Sequence, residues 1–296
     1  MNCRAITFST VATLVLTSSI IQLGCSSSSK KDSGSGKSGQ TESVKQKSSD
    51  IDVSDEVQKS SQTADVGQTG ESLDKKYQPM AAALRTNQLD TVGSEAGRIL
   101  TSNANDAMAL NALAIAHFRR GHTGAAKIFL NRAIEKNAPS AGLFNNLGVL
   151  LLAEGDSGGA ISAFKKALRV NDSHAQALAN LGSIYAQGGD YIRALPLLTQ
   201  SYKSDSSNQA IANNTAVAMR GTGDLAGAKK IYDTILARNS RNVTALLNEA
   251  TLYIEYMNQP KDGLALVYKV KFLETERKDV LARANALEKK AKAALE

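Results

Sequence analysis

Cysteine is almost missing from this sequence: Cys3 and Cys25 are the only two, and both fall near the N-terminus. Neither a disulfide framework nor a zinc site can be assembled from them. Histidine is as sparse, with His117, His122 and His174 isolated from any second metal-ligating or catalytic group. His117 falls at a packing position of the pattern described below. No GxxxxGK[ST] phosphate-binding loop and no HExxH occurs; GxGxxG occurs once, at 34–39 inside a Ser/Gly-rich stretch rather than between a strand and a helix, and GxSxG once, at 155–159 in a turn of the repeat described below. Catalysis needs a constellation of such groups, so the sequence reads as non-enzymatic, without metal, cofactor or small-molecule substrate. A concentrated run of Lys and Arg is also lacking. The formal charge of +7 is scattered among acids, which argues against nucleic acid as a partner.

Large apolar residues are scarce from 26 to 72, where Ser, Gly, Lys, Gln, Asp and Thr dominate. Such a stretch cannot bury enough apolar surface to offset its conformational entropy. Its six Lys face eight Asp and Glu, so the positive balance belongs to the rest of the protein. A flexible coil of this length has an end-to-end distance on the order of 35–40 Å and spans roughly 150 Å when extended, so the stretch reads as a tether.

Before it, the segment from Ala5 to Leu23 is uncharged, with Ile6, Phe8, Val11, Leu14, Val15, Leu16, Ile20 and Ile21 interrupted by Thr and Ser. It closes as Leu23-Gly24-Cys25-Ser26. The apolar block is short for a membrane span and suits a signal peptide. The segment resembles a bacterial lipoprotein signal, with Gln22 standing where that family usually carries Leu. The resemblance implies a signal peptide over 1–24 and a new N-terminus at Cys25, bearing diacylglycerol on sulfur and a further acyl group. Two or three acyl groups hold a protein to a bilayer where one does not. Ser26, in place of the Asp that retains such proteins at the inner membrane, implies the periplasmic face of the outer membrane.

What the remaining sequence has in abundance is repetition. Gly121, Gly155, Gly189 and Gly223 stand 34 residues apart, as do Ala126, Ala160, Ala194 and Ala228, and the polar column Asn137, Asn171, Asp205 and Asn239. A fixed period of this size means stacked supersecondary units. Within the unit 141–174, apolar residues recur at three and four residues, which is helical spacing. Gly155-Asp156 breaks the pattern into two helices, the Gly for the tight turn and the Asp to cap the second helix. Gly148 and Gly182 fall where paired helices approach closely, and Phe144, Leu147, Leu151 and Phe164 fill the remaining space. Pro196 is expected in the first turn of a second helix, where a missing N–H is tolerated.

This pattern resembles the tetratricopeptide repeat. Units beginning near 107, 141, 175 and 209 are clear, covering 107–242. A fifth, near 243, starts with Leu246, Ala250 and Tyr253 and then slips by one around Gln259-Pro260, putting Gly263 where Ala is expected. A degenerate unit over 73–106 has Ala81, Leu84, Leu89 and Ile99 as its core. The expectation is therefore an all-α protein: about six units over 73–276, forming a superhelical solenoid of antiparallel helix pairs. A terminal helix over 277–296 follows, with Val280, Ala284, Leu287, Ala291 and Leu295 on one stripe, and caps the stack.

In that family the first helix of each pair lines a concave groove. The resemblance places Asn146, Asn180, Asn214 and Asn248 there as a ladder, with Asn111, Asn145 and Asn213 beside it. An asparagine amide offers both donor and acceptor and matches an extended peptide backbone. Ile115, Val149, Val217 and Ile254, with Ser183, Thr251, Gln187, Arg119 and Arg220, complete the expected lining, which suits a helix or apolar strip as well. The implied role is a lipid-anchored scaffold that binds protein partners of an envelope-spanning assembly, similar to gliding-motility repeat lipoproteins and to the pilotins of pilus secretins. An adaptor that regulates cell-wall synthases or hydrolases is the alternative.

Overall fold

A residue at positive φ reverses the backbone within each hairpin, and in three of them a glycine there is followed by a capping aspartate. The computed structural model describes residues 73–296; the apolar block, Cys25 and the Ser/Gly-rich stretch lie outside the described residues. Among the described residues six helical hairpins follow one another: α1 (Gln78–Arg85) with α2 (Leu89–Ser102), α3 (Ala107–Arg119) with α4 (Thr123–Lys136), α5 (Ala141–Ala153) with α6 (Ser157–Val170), α7 (Ala175–Gln187) with α8 (Tyr191–Ser204), α9 (Gln209–Gly221) with α10 (Leu225–Arg238), and α11 (Val243–Thr251) with α12 (Pro260–Leu273). A last helix, α13 (Lys278–Ala293), stands alone. The odd-numbered helices also touch one another in succession, so they form one row and the even-numbered helices another.

The reversals are nearly identical. Gly121, Gly155, Gly189 and Gly223 have φ between 75° and 91°, a conformation that glycine reaches without steric cost. Asn87 (φ 57°) and Asn258 (φ 53°) do the same work in the outer hairpins; asparagine is the side chain that best tolerates this region. The carboxylates of Asp156, Asp190 and Asp224 then accept from the backbone N–H of Gly159, Arg193 and Gly227 and start the second helices. First helices are started by Asp106, His174, Asn208 and Asn242. His174 accepts through Nδ1 from Ala177 N–H at 3.2 Å, a structural role that the sequence reading does not assign. The polar column closes the second helices, where Asn171, Asp205 and Asn239 turn back onto the N–H two residues ahead.

Close approach explains the small residues. A Cβ at Gly148 would lie 2.5 Å from the Phe164 ring, and one at Gly182 would lie 2.7 Å from Leu198. The large residues that need this room form a column of fully buried side chains: Leu130, Phe164, Leu198, Tyr232 and Val267. The Ala column is buried as completely, at 0–1% exposure. Ala81, Leu84 and Ile99 are buried in the first hairpin together with Met80, Val92 and Ala96, while Leu89 is half-buried.

Three details differ from expectation. Pro196 lies in the second turn of α8, because Asp190 starts that helix. The N–H it lacks would have served the carbonyl of Ile192, a residue at the exposed surface. Leu295 lies beyond the end of α13 and is exposed, while Val280, Ala284, Leu287 and Ala291 are buried. The slip in the fifth unit arises upstream of Gln259-Pro260: α11 widens into a π-helical turn over Leu252–Tyr256. That turn absorbs one extra residue, so Asn258 stands 35 residues after Gly223 and Gly263 stands 35 after Ala228.

Candidate functional face

The row of first helices carries the asparagines that the repeat places on the inner face. Their side chains reach each other between neighbouring units. Asn146 Nδ2 donates to Asn111 Oδ1 at 2.9 Å, Asn180 Nδ2 to Asn145 Oδ1 at 3.0 Å, and Asn248 Nδ2 to Asn213 Oδ1 at 2.9 Å. Asn214 Nδ2 donates instead to Ser183 Oγ at 2.9 Å. In this set of bonds a side chain one position further along the next helix reaches back to the one before. The last rung is taken by the terminal helix, where Arg283 Nη2 donates to Asn248 Oδ1 at 2.6 Å.

Six of these seven asparagines are buried (Asn111, Asn145, Asn180, Asn213, Asn214 and Asn248) and Asn146 is half-buried. A buried amide must be bonded or it costs about 1–3 kcal/mol, and here one unit satisfies the next. The expectation of an open ladder for a peptide backbone is thus met by a different geometry: the amides join the scaffold to itself. Sequence spacing identifies the column, but only the stacking distance between helices decides whether the partner of an asparagine is a ligand or another asparagine.

The apolar lining behaves in the same way. Ile115, Val149 and Val217 are buried, as are Ser183 and Thr251. Ile254 is half-buried and Gln187 exposed. Phe118 and Leu152 are half-buried and continue as a 34-residue column into Ala186 and Arg220. A small apolar cavity between the second and third hairpins is lined by Ile115, Phe118, Asn146 and Val149 among others.

The two arginines of the expected lining differ from each other. Arg119 reaches back to the first hairpin, Nη1 donating to the Leu84 carbonyl at 2.6 Å, and burial holds its guanidinium below the usual arginine range. Arg220 is 3% exposed. Its Nε and Nη1 are buried without a hydrogen-bond partner, and its guanidinium lies 5.1 Å from the centre of the Tyr256 ring.

A second buried ionisable group lies on α11. Glu249 on α11 is buried. Burial raises its carboxyl pKa above the ordinary value, and the neighbouring Asp233 raises it further, against the opposing effects of Lys229 and Tyr253. Lys229 holds Asp233 through both carboxylate oxygens at 2.8–2.9 Å. Sequence reading misses Glu249, because its helical position in the preceding units is taken by Leu181 and Thr215. Among the described residues no group of His, Cys, Asp or Glu is arranged to hold a metal ion, and no helix is long and apolar enough to cross a membrane.

Comparison with known proteins agrees with this architecture. The family model described as tetratricopeptide repeat matches residues 145–210. A comparison with curated proteins yields no match. Among solved structures, one reported in a functional characterisation of PilF from Pseudomonas aeruginosa superposes with a TM-score of 0.61 at 16% identity, covering 72% of this protein and 96% of that one. A tetratricopeptide repeat protein from Parabacteroides merdae gives 0.53 at 17% identity, over 75% of this protein and 92% of that one. YrrB, described as a TPR protein with an unusual peptide-binding site, gives 0.54 at 17% identity, over 64% of this protein and 97% of that one. At these identities the likeness is one of fold.

Proposed function

We propose, from the premise that the described residues are a tetratricopeptide-repeat solenoid, that this protein is a non-catalytic adaptor. It presents the row of first helices to a protein partner in the cell envelope. The observation that carries the reading is the unbroken series of first helices from α3 to α11, joined by side-chain hydrogen bonds from unit to unit. Such a surface is extended, rigid and repeated, which suits a long polypeptide segment better than a small molecule. The likeness to YrrB, a protein with a peptide-binding site, supports the same use of the fold here.

The partner-facing groups in this reading are the side chains that the scaffold leaves accessible: Asn146, Phe118, Leu152 and Gln187. The buried asparagines hold the curvature on which those groups stand. The location follows from the N-terminal segment: a lipid on Cys25 holds the protein to the outer membrane, and the stretch to residue 72 lets the solenoid hang into the periplasm. An envelope-spanning machine, of the gliding or pilus-secretin kind, is the assembly that such an anchored adaptor serves.

Photo-crosslinking in living cells tests the adaptor role. A photoreactive residue at Gln187 or Leu152 is expected to trap a specific envelope protein, and one at Ile192, exposed on a second helix, is not. No adduct from the inner face, or the same adducts from both faces, would remove the role. Cys25→Ala is expected to release the protein from the outer-membrane fraction, and loss of the gene to impair gliding or piliation.

A further inference from the structure

A buried guanidinium normally has a carboxylate or several carbonyl oxygens around it, because desolvating a charge without compensation is costly. Arg220 lacks that arrangement. It is more than nine-tenths buried, two of its nitrogens have no hydrogen-bond partner, and the face of Tyr256 lies against it. An aromatic face attracts a cation but accepts no strong hydrogen bond. The acids on the adjacent helix are engaged elsewhere. Glu255 pairs with Lys290 from the terminal helix, and Glu249 is directed to Asp233 and Tyr253.

A second observation falls at the same place. Tyr256 belongs to the π-helical turn Leu252–Tyr256, the one extra residue in an otherwise strict 34-residue period. Widened turns of this kind are rare and are frequently found at functional sites. Here the insertion re-aims the end of α11 and lays an aromatic ring over an otherwise unpaired cation. In the corresponding column of the preceding units the residues are Phe118, Leu152 and Ala186, so the charge is confined to the unit whose neighbour carries the insertion.

We infer that Arg220 and Tyr256 form a receptor for a carboxylate supplied by the bound partner, with Arg220 donating the hydrogen bonds and the Tyr256 ring walling the site from water. The ligand chemistry is a carboxylate on a polypeptide, from either an Asp or Glu residue or the C-terminus. Charge-assisted bonds from a desolvated guanidinium are the strong ones, so this site fixes the register of a segment lying along the inner face. The inference rests on the adaptor reading but is tested separately from it, with purified protein and defined peptides.

The full-length protein, isotope-labelled at arginine, is titrated by NMR while the Arg220 Nε–H signal is followed, assigned by its loss in Arg220→Lys. Three acetylated alanine pentapeptides serve as probes: a central Asp with an amidated end, a central Asn with an amidated end, and all alanine with a free carboxylate end. The Asp peptide, the free-ended peptide or both are expected to move the signal saturably. Response to only one identifies the carboxylate source. Arg220→Met is expected to bind at least about tenfold more weakly, the discrimination lost with a charge-assisted bond, and to melt no lower than the parent protein, because a charge without a counter-ion is removed. Absence of a shift at millimolar carboxylate, an equal shift from the Asn peptide, or a clearly lowered melting temperature in Arg220→Met overturns the inference. The last result would assign the side chain to the scaffold. If the peptides bind while crosslinking from the inner face traps nothing, the carboxylate site stands and the adaptor role falls.

Discussion

The third hairpin and the last are built on the same plan and diverge at one inserted residue. In the third, α5 and α6 meet at Gly148, the Phe164 ring fills the contact, and the turn uses Gly155 at φ 83°. In the last, α11 loosens into a π-helical turn, Asn258 replaces the turn glycine, and Gly263 replaces the small alanine of the column. Val267 then occupies the place of Phe164. One unit has a rigid, fully filled contact, whereas the other trades regularity for a changed helix end that holds Tyr256, Glu249 and a neighbour's Arg220 in unusual surroundings. Regular packing and unusual polar surroundings are thus divided along the stack.

The largest test of that contrast is truncation of the column. Phe164 is fully buried against Val149, Ala160 and Leu181, so Phe164→Ala is expected to cost about 3–5 kcal/mol. Val267→Ala removes two methyl groups from an equally buried place and is expected to cost about 2 kcal/mol. Urea unfolding followed by far-UV circular dichroism gives both values. Equal costs would mean that the two contacts are alike in rigidity.

The glycines give a smaller effect with a clearer cause. Gly148→Ala drives a methyl into the Phe164 ring at 2.5 Å, and that ring has no room to move. Overpacking of this kind costs about 1–3 kcal/mol. Gly263→Ala meets the half-buried Ile254 side chain at 2.4 Å and the Ala250 carbonyl at 3.0 Å. The contact is with Cγ1 beside the branch point of a side chain that is stiff at χ1, and the helix-propensity gain of about 1 kcal/mol accrues to both substitutions, so Gly263→Ala is expected to cost about 1–3 kcal/mol as well. Unchanged stability in either variant would show that its hairpin yields at this contact.

How much of this was legible in the sequence follows from which features are local. The turn glycines, the aspartates after them and the close approach at Gly148 and Gly182 are written within a few residues of each other, and they stand where the period puts them. The insertion was visible only as a mismatch between columns. Periodicity brackets an extra residue between the last column that fits and the first that does not, and Pro260 draws attention past the widened turn at Leu252–Tyr256. The asparagine column was legible as a column, but its bonding was not. Asn180 finds Asn145 because two helices from different units lie side by side, and a single unit says nothing about that separation. Arg220 is on the expected face, yet its burial depends on the Tyr256 ring, which a strict 34-residue alignment does not bring there.

The smallest expected effect is a difference in pH response between the same two hairpins. Glu249 is buried in the last, and burial, with Asp233 nearby, raises its carboxyl pKa. The groups facing it are Asp233 and Lys229 from α10 and Tyr253 from the turn that extends its own helix. An acid whose pKa is higher in the folded state binds its proton more tightly there than in the unfolded state, where a glutamate titrates near about 4.3. The stabilisation is therefore complete in acid and is lost as pH rises from that value through the raised folded one. The fully apolar Phe164 contact of the third hairpin has no such dependence. Hydrogen exchange is expected to show protection of α11 and α12 declining toward neutral pH relative to α5 and α6, and Glu249→Gln, which keeps the shape and the hydrogen-bonding capacity, is expected to flatten the decline. A decline that persists in Glu249→Gln would place the titrating group elsewhere and leave Glu249 as a carboxylate whose charge Lys229 fully compensates.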